Sequence, residues 1–441
     1  MQQADLIIYP EWIYTAEEDA NSDSQALTQH GVVILDGKIV DLAERAQIEA
    51  QWQSEQTLEK PGCLLLPGFI NSHTHASMNL MRGIANDLPL MEWLEQHIWP
   101  AEAAHVGEQY VYDGTQLAIA EMIRSGTSCF NDMYFFPNAA IQAALDSGMR
   151  ISAGIIAIDF PSAYAANADE YLSKGLALHQ QHQHNPLCSF MLAPHAPYTV
   201  SDDVFTRIAQ LAEQQQLGIH LHLHETEFEV GSATAQSNER PFARLKRLGV
   251  LGKQTLAVHM TQLNSDEIAD CAEQGISVAH CPESNLKLAS GFCPTHRLWQ
   301  QGVNVCLGTD GAASNNDLDM LGEMRSASLL SKAVAGDATA LNAAQSLQMA
   351  TINGAKALGL ADQTGSIRIG KAADLQLIDL NTIETQPCYD PLAQVVYSAS
   401  RDQITHLWCA GQALMQDRQL TTLDETKIIA NAKQWHEKIS A

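Results

Sequence analysis

The sequence has no Cys-x-x-Cys pair, and its nine cysteines are scattered along 441 residues. An odd number of widely spaced cysteines is typical of reduced thiols and argues against the disulfide framework of a secreted domain. The lack of a Pro-Cys-x-x-Cys element also excludes the cysteine-ligated zinc deaminases. We therefore predict a cytoplasmic protein without disulfide bonds.

Basic residues are scarce, since 25 Lys and Arg stand against 51 Asp and Glu, and the formal net charge is −26. Nucleic acids and anionic membranes attract clustered Lys and Arg, so neither is an expected partner. No window contains the roughly 18 apolar residues of a membrane span. The first residues, Met1 to Asp5, lack the basic and apolar regions of a signal peptide, so none is expected.

Glycine-rich phosphate loops are also missing, which matters because short β-rich runs alternate with helix-like stretches through the middle of the chain. The runs are Leu64–His75, Thr127–Met133, Ile151–Ile158, Ser189–Pro194, Ile219–His224, Thr255–Met260, Ile276–His280 and Val303–Thr309. Such alternation predicts a parallel sheet. Eight units in roughly 290 residues match an α/β fold of the (β/α)8 barrel type. The alternative, a doubly wound sheet, would usually carry a phosphate loop.

Both chain ends contain short strands instead. Leu6–Tyr9 and a hairpin around Asp36-Gly37 begin the chain, and similar runs occur near Asp374 and Ile404. We expect these ends to form one small β-sandwich domain. The predicted limits are residues 1–63 for its N-terminal part, 64–363 for the barrel, and 364–441 for its C-terminal part with a final helix.

Histidine and aspartate stand at most of the predicted barrel strand ends, where the chemistry of such barrels lies. They are His73, His75, His195, His220, His222, His224, His259, His280 and Asp310, with Glu225 directly after the fifth run. One terminal histidine would be unremarkable. Histidine or aspartate at six of eight ends is difficult to explain by core packing, so we predict a functional site at this edge.

The segment His73-Thr-His75 predicts a metal site, because period two places both imidazoles on one face of a strand. Three or four ligands and an open position for water are typical of a catalytic site. His73, His75, Asp310 and one histidine of the fifth run meet that number, and spacing does not choose among His220, His222 and His224. No lysine ends any of the eight runs, which favours one divalent metal ion. Zn²⁺ suits these ligands best, with Fe²⁺ or another divalent ion as the alternative.

Three motifs resemble those of the amidohydrolase superfamily. They are Pro67-Gly-Phe-Ile-Asn-Ser-His-Thr-His75, His222-Leu-His-Glu225 and Leu307-Gly-Thr-Asp310. Within it, Met81-Arg-Gly83, Pro100-Ala-Glu102, Pro194-His-Ala-Pro-Tyr198 and Ser284-Asn-Leu-Lys-Leu288 are most similar to the 5′-methylthioadenosine/S-adenosylhomocysteine deaminases. The resemblance covers nearly the whole chain.

The resemblance implies a role for each of eight residues. It assigns His73, His75, His222 and Asp310 to the metal, which resolves the choice in the fifth run. It assigns Glu225, His259 and Asp310 to catalysis, and Glu102, His195 and Glu225 to the substrate. It implies deamination of an adenine ring in a small-molecule nucleoside by a metal-activated water, with Glu225 protonating the ring.

Other readings stay open from the sequence alone. Another hydrolase of the superfamily would act on a guanine, pterin or triazine ring, and a non-catalytic nucleoside-binding protein is less favoured. A homo-oligomer is a further open alternative.

Ile158–Gln183 contains no arginine, although some family members contact the substrate with arginines in this region. Met78, Met81, Met91 and Trp93 could line an apolar pocket for a thioether, but such residues more often belong to the core.

Overall fold

Eight parallel strands form the central sheet of the computed structural model, which describes residues 1–17 and 26–440. The strands are β1 (Phe69–Thr74), β2 (Thr127–Asp132), β3 (Arg150–Ala157), β4 (Cys188–Pro194), β5 (Gly218–Leu223), β6 (Thr255–His259), β7 (Ser277–His280) and β8 (Val305–Leu307). Each strand pairs in parallel with the next in chain order. The predicted (β/α)8 barrel is therefore confirmed.

The barrel closes where the segment after β8 meets β1. The Asp310 amide donates a hydrogen bond to the His73 carbonyl oxygen over 3.0 Å. A Cβ at Gly308 would lie 2.8 Å from the Cβ of His73, so a side chain at this position would separate the two strands. Glycine therefore lets Asp310 approach His73.

Helices cover the barrel and the second sheet. The α-helices are Arg45–Gln51, Leu90–Trp93, Trp99–His105, Glu108–Arg124, Pro137–Ser147, Ala168–His182, Asp202–Gln215, Glu227–Ser237, Pro241–Arg247, Ser265–Gln274, Pro282–Lys287, Thr295–Gln300, Met320–Ala335, Ala343–Met349, Ile352–Ala357, Pro391–Tyr397 and Glu425–Ile439. Ala76–Met81 and Arg401–Gln403 are 3₁₀ helices, and Leu94–Ile98 is a π-helix. Among the described residues, no helix combines the length and apolar character that crossing a membrane requires.

Local sequence explains where individual helices begin and what they bury. Asn264 and Glu267 form a reciprocal capping box at the start of Ser265–Gln274, and Gly275 ends this helix with φ +69°. In Asp202–Gln215, the buried residues Phe205, Ile208 and Ala212 recur at helical spacing. That face packs into the main apolar core of the molecule.

The second sheet joins the two ends of the chain. Its strands, in spatial order, are Gln419–Leu420, Gln412–Gln416, Ile404–Cys409, Leu375–Asp379, Thr57–Pro67, Leu6–Ile13, His30–Leu35 and Lys38–Glu44, with Leu27–Thr28 paired to Leu6–Ile13. Gln2–Ala4 and Trp52–Ser54 form a separate parallel pair. Leu375–Asp379 is antiparallel to Thr57–Pro67, so the expected β-domain built from both chain ends is confirmed.

One predicted run contains two strands rather than one. Leu64–His75 divides at Gly68: the strand before it, Thr57–Pro67, pairs in the second sheet, and β1 after it pairs in the barrel. Prediction of one barrel strand over the whole run was wrong because the run is apolar on both sides of the division. The second sheet therefore extends beyond the predicted limit at residue 63, and the other domain limits stay predictions.

Candidate active site

The predicted polar residues meet in one cavity at the carboxyl ends of the barrel strands. Of the eight residues that the resemblance assigned, His75, Glu102, His195, His222, Glu225, His259 and Asp310 line it. His73 lies beneath them and is fully buried. The cavity and its solvent-open mouth together contain about 870 Å³ of empty space.

Four side chains converge at the floor of the cavity. The ligand atoms of His73, His75, His222 and Asp310 all lie within 4.8 Å of one another. Asp310 Oδ1 is 3.3 Å from Nε2 of His73 and 3.3 Å from Nε2 of His75. His222 Nε2 is 3.2 Å from His73 Nε2. This is the set of four that the resemblance assigned to the metal.

The hydrogen bonds behind these imidazoles show that the group suits a metal ion. His75 Nδ1 lies 2.6 Å from the Met133 carbonyl oxygen, and His222 Nδ1 lies 2.8 Å from that of His195. A carbonyl oxygen only accepts, so each Nδ1 carries a proton and Nε2 is the atom left to face the centre as a metal ligand. Lone pairs converging on a carboxylate oxygen require a cation between them, and a metal ion fits that requirement.

Burial keeps His73 and His222 neutral. It lowers the pKa of His73 to about 4 and that of His222 well below its ordinary value. Burial acts to raise the pKa of Asp310, but its interactions with His73 first, and with His75 and His259, together outweigh this effect and hold the pKa well below its usual range. Neutral imidazole and ionised carboxylate are the forms that bind metal.

The second oxygen of Asp310 is held separately. Hydroxyls of Ser284 and Ser314 donate to Oδ2 over 2.7 and 2.8 Å. This leaves Oδ1 directed at the imidazoles. The sequence analysis noted the stretch that begins at Ser284 but gave that serine no role.

Glu225 and His259 stand side by side above this floor. Glu225 Oε2 is 3.9 Å from His259 Nε2. His259 Nδ1 lies 2.8 Å from Asn285 Oδ1, an acceptor, so the ring carries its proton on Nδ1 and its Nε2 lone pair faces the cavity. Burial raises the pKa of the Glu225 carboxyl, which favours its protonated form. The pair therefore offers a proton acceptor beside a proton donor.

Glu102 and His195 lie on the cavity wall. Tyr134 donates its hydroxyl to Glu102 Oε1 over 2.6 Å, a partner that the sequence analysis missed although Tyr134 closely follows β2. His195 Nδ1 is 3.0 Å from the Thr199 hydroxyl, and burial lowers the pKa of His195 to about 3. The neutral ring of His195 packs against His222, with centroids 4.9 Å apart.

Left-handed backbone recurs where the strands end at this site. His224, His259, Met260 and Asp310 have φ of 53°, 72°, 51° and 62°. Such values are uncommon outside glycine and cost free energy, so they persist where the surrounding structure enforces them. Here they follow or end β5, β6 and β8, and they turn the chain just where the polar side chains enter the cavity.

The outer wall of the cavity is apolar. It includes Met78, Leu90, Trp93, Phe135, Ile158 and Phe160. Met78 and Trp93 thus line a pocket, which was the less favoured interpretation of the sequence, while Met81 and Met91 are not among the lining residues. The residues that the structure describes contribute no lysine or arginine to this lining.

The remaining strand-end histidines lie outside the cavity. His220 Nε2 is 2.8 Å from His73 Nδ1, so it supports a converging side chain from behind. His224 accepts the Phe242 amide, and His280 is buried beside a different, smaller cavity. The choice of His222 in the fifth run therefore agrees with the geometry.

A closed (β/α)8 barrel with three histidines and an aspartate converging at its strand ends defines the class of metal-dependent hydrolase barrels. Residues 64–414 match the amidohydrolase family. The chain belongs to the amidohydrolase family.

Relatives within the family are similar over almost the whole chain. The "5-methylthioadenosine/S-adenosylhomocysteine deaminase" of Saccharophagus degradans is 46% identical, covering 99% of this chain and 97% of the relative. The "5'-deoxyadenosine deaminase" of Methanosarcina mazei is 39% identical and covers 99% of both chains.

Solved structures agree with the fold. A zinc-bound adenosine deaminase from Xanthomonas campestris has a TM-score of 0.97 and 48% identity, covering 100% of this chain and 99% of that one. An atrazine chlorohydrolase from Arthrobacter aurescens has a TM-score of 0.89 at 23% identity, covering 98% and 99%, which supports the fold alone.

Proposed function

We propose that this chain is a metal-dependent deaminase that hydrolyses the C6 amino group of the adenine ring in 5′-methylthioadenosine and related nucleosides. The products are the corresponding inosine-type nucleoside and ammonia. The names of the relatives, all deaminases of adenosine-type nucleosides, support this reaction.

The free state of all nine cysteines supports a reducing cytoplasmic location as part of the proposal.

One observation carries the proposal: a proton donor, Glu225, stands next to an acceptor, His259, directly above the converging group of His73, His75, His222 and Asp310. Attack of water on an aromatic ring needs both an acid at the ring nitrogen and a base for the water. The cavity supplies both within a few ångströms.

We assign one divalent ion, Zn²⁺, to His73, His75, His222 and Asp310. Three imidazoles and one carboxylate are ligands that zinc binds in catalytic sites, and the adenosine deaminase of Xanthomonas campestris contains zinc. No lysine lines the described cavity to bridge a second ion. When bound, the ion lowers the pKa of a water to about 7.

The residues of the chain would then move the protons. Asp310 and His259 accept the proton of the attacking water as its oxygen bonds to C6. Glu225 donates a proton to N1 of the ring, which makes C6 more electrophilic. The proton taken from the water then passes to the amino group, which leaves as ammonia when its bond to C6 breaks. The remaining proton on the new oxygen returns to Glu225 as the C6 carbonyl forms, so the acid is restored.

The cavity wall would hold the rest of the nucleoside. Glu102, fixed by Tyr134, accepts hydrogen bonds from the ribose hydroxyls. His195 contacts the edge of the purine or ribose. The apolar wall around Phe135 and Phe160 receives the 5′-methylthio group.

Replacement of the proposed acid tests this function. Glu225→Gln should retain the metal but lose most ammonia release from 5′-methylthioadenosine, with kcat reduced roughly 10²–10⁴-fold, because general acid catalysis contributes about that much. Ammonia release and metal content should be measured on the same samples. Near-normal kcat in this variant contradicts the proposed role.

A substrate panel distinguishes the reaction from others in the family. The wild-type protein should act on 5′-methylthioadenosine in preference to guanine and to triazines. Turnover of guanine and of no nucleoside contradicts the proposal. A purified protein that binds no metal and turns over no nucleoside also contradicts it.

A further inference from the structure

Glu229 makes an unusual contact for a buried carboxylate. Its Oε1 accepts the backbone N–H of His224 over 3.1 Å, and its Oε2 accepts that of Glu225 over 2.8 Å. Glu229 is 8% exposed and belongs to the first turn of helix Glu227–Ser237. The backbone N–H of Glu229 donates to the hydroxyl of Thr226, the N-cap residue of this helix. Both carboxylate oxygens are thus engaged by two consecutive amides of the strand end.

The backbone at that strand end explains why a group with two acceptor oxygens fits there. His224 has φ +53°, a left-handed conformation that turns two successive N–H groups to the same side. Successive N–H groups in such a turn form a concave site for an anion. Here the side-chain carboxyl of Glu229, whose pKa burial raises to about 7, supplies both acceptor oxygens. It therefore stabilises the turn that a non-glycine residue adopts at a cost.

The same turn directs Glu225 into the cavity. In the next peptide group, the Thr261 hydroxyl donates to the Glu225 carbonyl oxygen over 2.7 Å. The backbone of Glu225 is therefore held before its Cα, at the N–H, by Glu229 and after its Cα, at the carbonyl oxygen, by Thr261. Its side chain stands 3.9 Å from His259.

We infer that Glu229 is a positioning residue for Glu225: its carboxylate holds the left-handed turn that sets the acid over the ring nitrogen. This inference rests on the proposed function, since it concerns the residue assigned as the acid. Glu229 touches neither substrate nor metal in this role. Its loss therefore affects the chemical step more than substrate binding.

Glu229→Gln tests the inference, because the amide keeps the size of the side chain but presents an NH₂ group to one of the two N–H donors. We expect kcat for 5′-methylthioadenosine to fall roughly tenfold or more, with KM and zinc content within twofold of wild type. Glu227→Gln is the matched control, since Glu227 is an exposed glutamate in the same helical turn, and it should leave kcat unchanged.

A second readout does not depend on activity. Amide hydrogen exchange at His224 and Glu225 should quicken in the metal-loaded Glu229→Gln protein relative to the Glu227→Gln protein. If wild type turns over no nucleoside, the proposed function fails, and exchange alone decides the role of Glu229. Unchanged exchange at both amides, or kcat within twofold of wild type, overturns the inference.

If Glu229→Gln misfolds, Glu229→Asp serves as the second variant. It keeps the carboxyl group and shortens the side chain by one methylene. It should also lower kcat while retaining zinc. In both variants, kcat could fall only in proportion to the loss of zinc or of folded protein. That result would mean that Glu229 has a structural role, and it would also overturn the inference.

Discussion

Tyr134 and Glu102 form a pair of residues that gives the cavity a fixed hydrogen-bond acceptor. The tyrosine is buried and its hydroxyl donates to Glu102 Oε1, so one carboxylate oxygen is occupied and the orientation of the other is set. A carboxylate held in this way loses little conformational freedom when two ribose hydroxyls bind to it. The pair therefore concerns binding more than chemistry.

Tyr134→Phe should raise KM for 5′-methylthioadenosine roughly tenfold and change kcat by less than about twofold, since a hydrogen bond to a charged group contributes about 1.5–3 kcal/mol. Steady-state ammonia release measures both constants. Tyr112→Phe is the control, because the Tyr112 hydroxyl contacts Asp146. An unchanged KM, or a loss confined to kcat, contradicts the assignment of Glu102 to the ribose.

Individual residues show how far sequence reasoning reached at this scale. His73, His75 and Asp310 were predictable because strand ends of a barrel meet at one edge, whereas the choice of His222 over His220 and His224 came only from the resemblance. The structure brings all four together. Tyr134 and Glu229 were not, because hydrogen bonds of side chains to neighbours or to backbone amides leave no regular spacing in a sequence.

Between the elements, an ion pair joins the barrel to the second sheet. Arg150, the first residue of β3, contacts Asp374 with Nε–Oδ2 at 3.0 Å, and both side chains are nearly inaccessible to solvent. Arg150 also donates to the Pro186 carbonyl oxygen, and Asp374 accepts the Ala410 amide. The pair thus satisfies groups on both sides of the junction.

Arg150→Met should lower the free energy of unfolding by about 3–5 kcal/mol, because it leaves Asp374 as an uncompensated buried charge. Urea denaturation measures the change. Arg45→Met breaks an exposed pair with Glu59 and should cost less than about 1 kcal/mol. Equal effects of the two substitutions would contradict a buried junction.

The elements themselves were largely predictable, and the exception has a physical cause. Alternating runs and helical stretches predicted seven of the eight barrel strands to within about two residues at either end. Leu64–His75 was assigned to one sheet because both halves are apolar, and nothing local marks where pairing changes. That change at Gly68 depends on Leu375–Asp379, a distant strand that takes Thr57–Pro67 as its neighbour.

For the molecule as a whole, the cavity combines a polar floor with an apolar wall that has no described lysine or arginine. A methylthio group suits such a wall. The homocysteine end of S-adenosylhomocysteine carries an ammonium and a carboxylate, which would lose water there without a partner for the carboxylate.

We therefore expect kcat/KM for 5′-methylthioadenosine to exceed that for S-adenosylhomocysteine by roughly 10–100-fold, since an unsatisfied polar group costs about 1–3 kcal/mol. Rates for both nucleosides on one preparation measure the ratio. Equal values, or a preference for S-adenosylhomocysteine, would mean that a charged group reaches the 5′ end from outside the described lining.

The pairing of Thr57–Pro67 with Leu375–Asp379 also has a consequence for how the chain is made. At roughly 5–20 residues per second, the ribosome needs on the order of half a minute to pass from Pro67 to Leu375. During that time the N-terminal strands present an open hydrogen-bonding edge while the barrel segments emerge one after another. The N-terminal strands of the nascent chain therefore lack their partner strand during this time. A truncated chain that ends before Leu375 would leave the edge of Thr57–Pro67 without that partner.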